Sequence, residues 1–400
     1  MNKKPEGRPL GSPDWILIGA VIALALLGLM MVYSSTFDLG YRMVRDSAYF
    51  LKRQAAFTAI GFVAMLIVAR IPYRHWTKLS IPIMAGAVLM LLAQVVFGTG
   101  RQLFGESGSP VELAKLAVVV YISHWLASKG DQLRKLPYGL LPFTIMVGVI
   151  AGLVMAQPDI SEALLIVLVA VAMFFLAGAD VLQFAIGIIG GGAAFALVVS
   201  RIPQAMERLQ PFLLEWRDPL NSTNTQLVRG LLALGSGGLL GMGPGNGRMK
   251  YQWLQAAHTD SIFAIVGEEL GFVGCLAVIL LFAVVAYRGF LLVRRAPDSF
   301  GRLLASGVTC WIVFQAAINM AVVTGTIPFT GIALPFISVG GTAMITYLIG
   351  VGILLNVARA ANAQPIAGAV PDAAADRQSA SSAPRGTRES RAPELEQGRP

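Results

Sequence analysis

Residues 15–33 read WILIGAVIALALLGLMMVY, an unbroken apolar run with no charged side chain. A helix rises about 1.5 Å per residue, so roughly 20 such residues cross a hydrocarbon core about 30 Å thick. Working outward from this run, comparable blocks recur at about 54–70, 79–97, 111–127, 139–156, 160–178, 181–199, 262–287, 302–323 and 339–357. The reading is an all-α polytopic membrane protein with ten transmembrane helices. A membrane barrel would show short alternating segments instead. Composition agrees: of 400 residues, 56% are hydrophobic and 13% charged, against about a quarter charged in soluble domains. An ordinary cytosolic enzyme is excluded.

The flanks set topology. Lys3, Lys4 and Arg8 precede the first block, which has no small-residue cleavage site and is read as a retained span. These three belong to a loop set with Arg70, Arg74, Lys78; Lys129, Arg134, Lys135; and Arg288, Arg294, Arg295, Arg302. Short cytoplasmic loops carry the excess of Lys and Arg, so this set is expected inside and both termini with it. The chain then divides into a cytoplasmic segment (1–14), a membrane domain (15–358) and a cytoplasmic tail (359–400). A large extracytoplasmic loop (200–261) separates the seventh and eighth spans. A loop that long in a compact protein is usually functional. The tail after Ala360 has five arginines and five acids and few large apolar residues. It cannot bury a core and is expected to be disordered. The net charge of +9 therefore encodes topology rather than nucleic-acid binding. Cys275 and Cys310 sit inside apolar blocks and read as inert, and His75, His124 and His258 are scattered, so no metal site is expected.

Ionisable residues inside apolar blocks cost about 2.5–3.5 kcal/mol at a helix centre, which makes them functional candidates. Three groups qualify, all toward the outer ends of their spans. Glu112 and Lys115, three apart, share a helix face and can pair; a purely structural pair fits the spacing equally. Gln157-Pro158-Asp159 marks a turn in which Asp159 can cap the next helix, with Glu162 a turn deeper. His258-Thr259-Asp260 stands where the long loop enters the eighth span. There Asp260 can be an N-cap, or a carboxylate presented to a substrate at the membrane surface. Glu268 and Glu269 lie deeper, and one is expected to meet a neighbouring helix. The long loop carries Gly241-Met242-Gly243-Pro244-Gly245-Asn246-Gly247 followed by Arg248 and Lys250. It is no P-loop, since no Gly-Lys-Ser/Thr ends it; its arginines and lysine suit an anionic headgroup or pyrophosphate. Pro328 to Gly341 has the prolines and glycines of a re-entrant stretch lining a cavity.

The ordered set Gly98…Arg101, Pro110-x-Glu112-x-x-Lys115, Gln157-Pro158-Asp159, the glycine-rich loop, His258-Thr259-Asp260…Gly267-Glu268-Glu269-Leu270-Gly271-Phe272, Gln315…Asn319 and Pro335-Phe336-Ile337-Ser338-x-Gly340-Gly341 resembles the SEDS family of shape, elongation, division and sporulation proteins. The match spans about residues 15–358 and leans toward the division-type branch. The resemblance implies ten spans and a peptidoglycan glycosyltransferase. Such an enzyme polymerises lipid II on the outer face of the plasma membrane, beside a class B penicillin-binding protein and other divisome or elongasome membrane proteins. It implies Asp260 as the catalytic residue. Arg101, the Glu112–Lys115 pair, Asp159, His258 and Thr259 fall in its substrate-binding motifs. The chain departs from the family pattern at Gln102, where a tryptophan is usual, and at Ser109 and Val111 around Pro110.

On this reading Asp260 is the general base on the acceptor sugar hydroxyl, with inversion at the donor anomeric carbon. Arg101, Lys115, Arg248 and Lys250 hold pyrophosphate charge, and Glu112 orients Lys115. A divalent cation could share this work, although no ligand cluster demands one. A lipid-precursor flippase and a non-catalytic scaffold are the alternatives that use the same buried charges.

Overall fold

The computed structural model describes residues 11–97, 110–157, 159–215, 225–251, 254 and 256–363. Every regular element among them is helical. The α-helices are α1 (Trp15–Val44), α2 (Tyr49–Val68), α3 (His75–Phe97), α4 (Pro110–Lys129), α5 (Leu140–Met155), α6 (Ile160–Leu176), α7 (Val181–Val199), α8 (Pro203–Glu215), α9 (Thr225–Ser236), α10 (Ile262–Arg295), α11 (Ser299–Val323) and α12 (Gly341–Asn362). Eight of these are long and apolar enough to cross a membrane; α5 and α6 are apolar but have 16 and 17 residues. Each of the ten apolar blocks coincides with one helix, and α8 and α9 fall inside the stretch read as the long loop.

Helices α4, α11 and α12 make the centre and are buried on most sides, while α7 buries only Gln183. Outer faces are apolar: Leu26, Leu89 and Ile189 are 62%, 66% and 72% exposed. So much exposed hydrocarbon, spread around the helices, identifies a surface made for lipid. The protein is a multi-pass membrane protein.

Two helices outrun their hydropathy. The apolar run of α1 ends at Tyr33, yet the helix continues to Val44. Ser34 donates to Glu269 of α10, and the Thr36 hydroxyl bonds back to the Val32 carbonyl at 2.6 Å. Ser35 also bonds back to Val32, so each hydroxyl is satisfied by α10 or by its own helix, and the polar triplet continues the helix rather than ending it. Likewise α2 begins at Tyr49, ahead of its apolar block.

Helix α10 is broken at Gly271, where φ is 67° and ψ is −164°. This region is essentially closed to residues with a Cβ. The break exposes backbone groups, and the glycine-rich stretch before α10 satisfies them. Met242 and Gly243 amides donate to the Glu268 and Glu269 carbonyls, and Phe272 and Val273 amides donate to Gly238 and Leu239. The approach is close enough that a Cβ at Gly271 would stand 2.3 Å from the Gly241 nitrogen. Gly271→Ala is therefore expected to destabilise the protein by about 3 kcal/mol. Thermal unfolding in detergent checks this; a wild-type melting temperature would mean that the break is not structural.

Segment 332–339 between α11 and α12 is buried and non-helical, with Ile332, Leu334, Phe336 and Ile337 all enclosed. It packs on α1 at Gly28, where a Cβ would lie 2.3 Å from the Phe336 carbonyl oxygen. Irregular backbone at the heart of a bundle is tolerated where protein surrounds it.

Candidate functional site

Lys115 is the hub of the first cluster. Its ammonium lies 2.9 Å from Glu112 Oε1, 2.9 Å from Glu162 Oε2 and 2.9 Å from Gln315 Oε1. An ammonium has three hydrogens, and these three acceptors use them all. The side chain is 2% exposed, so the charge is compensated within the protein. Gln315 also accepts from Trp311 Nε1 at 2.9 Å and donates to Tyr347 Oη and to the Ala333 carbonyl. The pair spaced by three is present. Glu162 and Gln315 join it from α6 and α11.

The second cluster is the turn before α10. Ala256 takes a φ of 49°, and its carbonyl accepts from the Thr259 and Ser261 amides. The next three carbonyls of interest are each clasped. His258 O accepts from Val339 N at 3.0 Å, Thr259 O from Ser338 Oγ at 2.7 Å, and Asp260 O from Asn319 Nδ2 at 2.7 Å. Asn319 also donates to Ile332 O at 2.6 Å. The buried segment 332–339 and α11 thus fix the backbone of His258-Thr259-Asp260. Asp260 immediately precedes Ser261, the N-cap residue of α10, whose own side chain makes no cap bond. The Asp260 carboxylate Oδ2 lies against Gly331, 3.3 Å from where a Cβ would stand. Asp159 is a cap: its side chain accepts from the Glu162 amide at the start of α6. Ser161 next to it donates to the Thr330 carbonyl, tying α6 to the loop beside Gly331.

The two clusters share α11, with Gln315 and Asn319 one turn apart. They also share the buried segment through Ala333 and Ile332.

The third cluster is separate in its bonding. Glu268 accepts from the Arg248 amide at 2.6 Å and the Met249 amide at 3.2 Å. Glu269 accepts from the Gly245 amide at 2.9 Å, from Ser34 Oγ and from Lys250 Nζ at 2.8 Å. Lys250 also bonds Gly245 O and Ser34 Oγ. Two buried carboxylates so hold the glycine-rich loop in place. Arg248 keeps an exposed side chain. Arg101 and Gln102 lie outside the described residues.

A pocket of ≈ 310 Å³ opens beside the turn, lined among others by Phe50, Arg53, Gln54, His258, Thr259 and Gly340. Burial pushes the His258 imidazole below its ordinary value, which favours its neutral form. Arg53 is half-buried there and has no acid partner among the described residues. The apolar block read from the sequence starts at residue 54, so hydropathy did not single out Arg53. Its helical spacing with Phe50, Gln54 and Phe57 was the available signal. Among the described residues, no three His, Cys, Asp or Glu side chains converge as metal ligands.

A multi-pass helical bundle with a buried carboxylate–ammonium cluster and a clasped His-Thr-Asp turn defines the class. The family model for cell cycle proteins of the FtsW, RodA and SpoVE type matches residues 14–363, and the chain belongs to that family, the SEDS family of the motifs. The chain is 34% identical over 371 residues to the probable peptidoglycan glycosyltransferase FtsW of Trichlorobacter lovleyi, covering 90% of this chain and 96% of that one. It is 37% identical to the stage V sporulation protein E of Bacillus subtilis, covering 87% and 97%. A structure described as the structural coordination of polymerization and crosslinking by a peptidoglycan synthase complex superposes with a TM-score of 0.69. Its identity is 26%, over 88% of this chain and 98% of that one. The rod shape determining protein RodA of Thermus thermophilus shares the fold, with a TM-score of 0.62, 24% identity and coverage of 88% and 99%.

Proposed function

We propose that this chain is a peptidoglycan glycosyltransferase that polymerises lipid II into glycan strands at the outer face of the plasma membrane. Its relatives in the same family, matched over nearly their whole length, are named peptidoglycan glycosyltransferases. The observation that carries the reading to a mechanism is the clasped turn. Three consecutive carbonyls are held by hydrogen bonds beside a pocket whose guanidinium, Arg53, has no acid partner among the described residues.

In this reading all ten apolar helices cross the membrane, α5 and α6 included, with both termini cytoplasmic. The stretch between α7 and α10 is extracytoplasmic, and its α8 and α9 lie over the outer mouth. Asp260 takes the proton of the acceptor sugar hydroxyl. That oxygen attacks the donor anomeric carbon from the face opposite the leaving group. The carbon–oxygen bond to the lipid pyrophosphate breaks, and the anomeric configuration inverts. General bases work at hydrogen-bond distance from the proton they remove, and a backbone fixed on all sides keeps Asp260 in place. Arg53, Arg101 and Arg248 are the cations we assign to the pyrophosphate directly. Lys115 and Lys250 have their hydrogens on protein acceptors and serve by holding the site's frame, with Glu112 and Glu162 orienting Lys115. His258 and Thr259 line the sugar pocket, and Asp159 sets the start of α6. The partner is a crosslinking penicillin-binding protein of class B.

The test is polymerisation of purified lipid II by the purified chain, with and without that partner. Long strands in either case support the reading. None, beside an active control enzyme, turns it toward a flippase or scaffold. Arg53→Gln is expected to raise KM for lipid II about tenfold with kcat little changed, as loss of one charge-assisted contact requires. An unchanged KM would remove Arg53 from the pyrophosphate.

A further inference from the structure

The opposite end of the bundle holds a second polar pocket that the polymerase reading does not use. Three chain ends meet there: the segment before α1, the last turn of α10 and the last turn of α12. The Gly11 amide donates to the Arg359 carbonyl, Arg359 Nε donates back to the Gly11 carbonyl, and Asn362 Nδ2 donates to the Ser12 carbonyl. Between them lies a pocket of ≈ 260 Å³ lined by Ser12, Asp14, Trp15, Arg288, Arg295 and Asn362 together with apolar residues of α1 and α10.

Its charge is unbalanced. Asp14 is buried and is gripped by Arg288, whose Nε lies 2.8 Å and Nη2 2.6 Å from its Oδ2. Asp14 also caps α1 through the Leu17 amide. The acid is spent, and with Arg288 it sums to zero. Arg295 is exposed, lines the same pocket and has no acid partner among the described residues. One positive charge is left over. Beside it Trp15 is 71% exposed and Ile16 56% exposed, at the membrane-facing start of α1. An indole at a helix end sits at headgroup level, with hydrocarbon on one side and water on the other.

We infer that this pocket binds the phosphate of an anionic phospholipid in the cytoplasmic leaflet. Arg295 and the outer edge of Arg288 meet the phosphate, and Trp15 and Ile16 meet the first carbons of the acyl chains. A soluble phosphate ester would satisfy the arginine and leave the aromatic and apolar wall without a partner; the wall favours a lipid. The leaflet follows from the orientation proposed above. The pocket itself needs only that α1, α10 and α12 end at one membrane surface.

Native mass spectrometry of the full chain in detergent tests this, with phosphatidylglycerol and phosphatidylcholine added separately. The wild type is expected to half-saturate at about fivefold lower phosphatidylglycerol than phosphatidylcholine, the effect of about one cation at a headgroup. Arg295→Gln removes that preference. Arg294→Gln, the neighbouring exposed arginine outside the pocket, keeps it. Equal losses in the two variants would show a diffuse charge effect and overturn the site. No preference in the wild type would do the same. Displacement of the lipid by excess soluble glycerol phosphate would overturn the lipid as ligand. Lipid II polymerisation by Arg295→Gln in detergent stays at the wild-type rate. A wild type that fails to polymerise sinks the proposed activity and leaves the lipid measurement standing.

Discussion

Asp260→Asn should abolish most glycan synthesis, lowering kcat by about 10²–10⁴-fold, the usual worth of a positioned base. The amide matches the carboxylate in shape but cannot take a proton at working pH. The fold should tolerate it, because Asp260 is fixed through its backbone carbonyl, to which Asn319 donates at 2.7 Å. The flanking carbonyls of His258 and Thr259 keep their own donors, Val339 N and Ser338 Oγ. The mutant should therefore melt with the wild type. Its KM for lipid II should change little, since a base is used in the transition state and not in binding. Initial rates of strand formation, beside a melting curve of each protein, decide the matter. Polymerisation at the wild-type rate by a folded mutant would remove Asp260 as base. A raised KM with an unchanged kcat would make it a binding group. Lipid movement across vesicles that ignores the substitution, with no polymer from the wild type, would favour the flippase.

The apolar blocks announced their helices because hydropathy is local. The membrane class follows from the exposed hydrocarbon that those blocks leave outside. What was not local was not legible. Glu112 and Lys115 are three residues apart and could be paired on the page. Glu162 and Gln315 are 47 and 200 residues from Lys115 and reach it only through packing of α6 and α11. Ser34, Ser35 and Thr36 ended an apolar run without ending a helix, because Ser34 meets Glu269 of α10 and the other two bond back to the Val32 carbonyl of their own helix. The glycine-rich run 241–247 was visible in the sequence. That it fills a break in α10 was not, although Gly271 stood within a quoted motif: nothing in the sequence says which backbone a loop will pair with. Arg53 was hidden by the same rule that found the spans. A charge at the edge of an apolar block counts toward topology, and only the helix face it shares with Gln54 and Phe57 aims it at the pocket.

Lys115→Met tests whether the buried cluster is a frame. The substitution keeps the apolar stem and removes the charge, leaving Glu112 and Glu162 facing one another without their common cation. Both are buried. Removing one partner of a buried ion pair costs about 3–5 kcal/mol, because the other charge stays buried and uncompensated. Here one cation serves two acids, so the upper end of that range is expected. Gln315 loses a donor as well. Glu162→Gln should cost less, since Lys115 keeps Glu112 at 2.9 Å and an amide oxygen in place of the carboxylate. The order of melting temperatures in detergent is then wild type, Glu162→Gln, Lys115→Met. The triple variant Glu112→Gln, Lys115→Met, Glu162→Gln should recover much of the loss, because it buries no net charge. That recovery separates a frame from a ligand. A frame made neutral still holds Gln315, which holds Tyr347 and Ala333, and α11 still presents Asn319 to Asp260. The triple variant should accordingly polymerise measurably while Lys115→Met does not. If it folds like the wild type yet makes no strand, Lys115 touches the pyrophosphate after all, and its three protein acceptors are partners that it exchanges on binding.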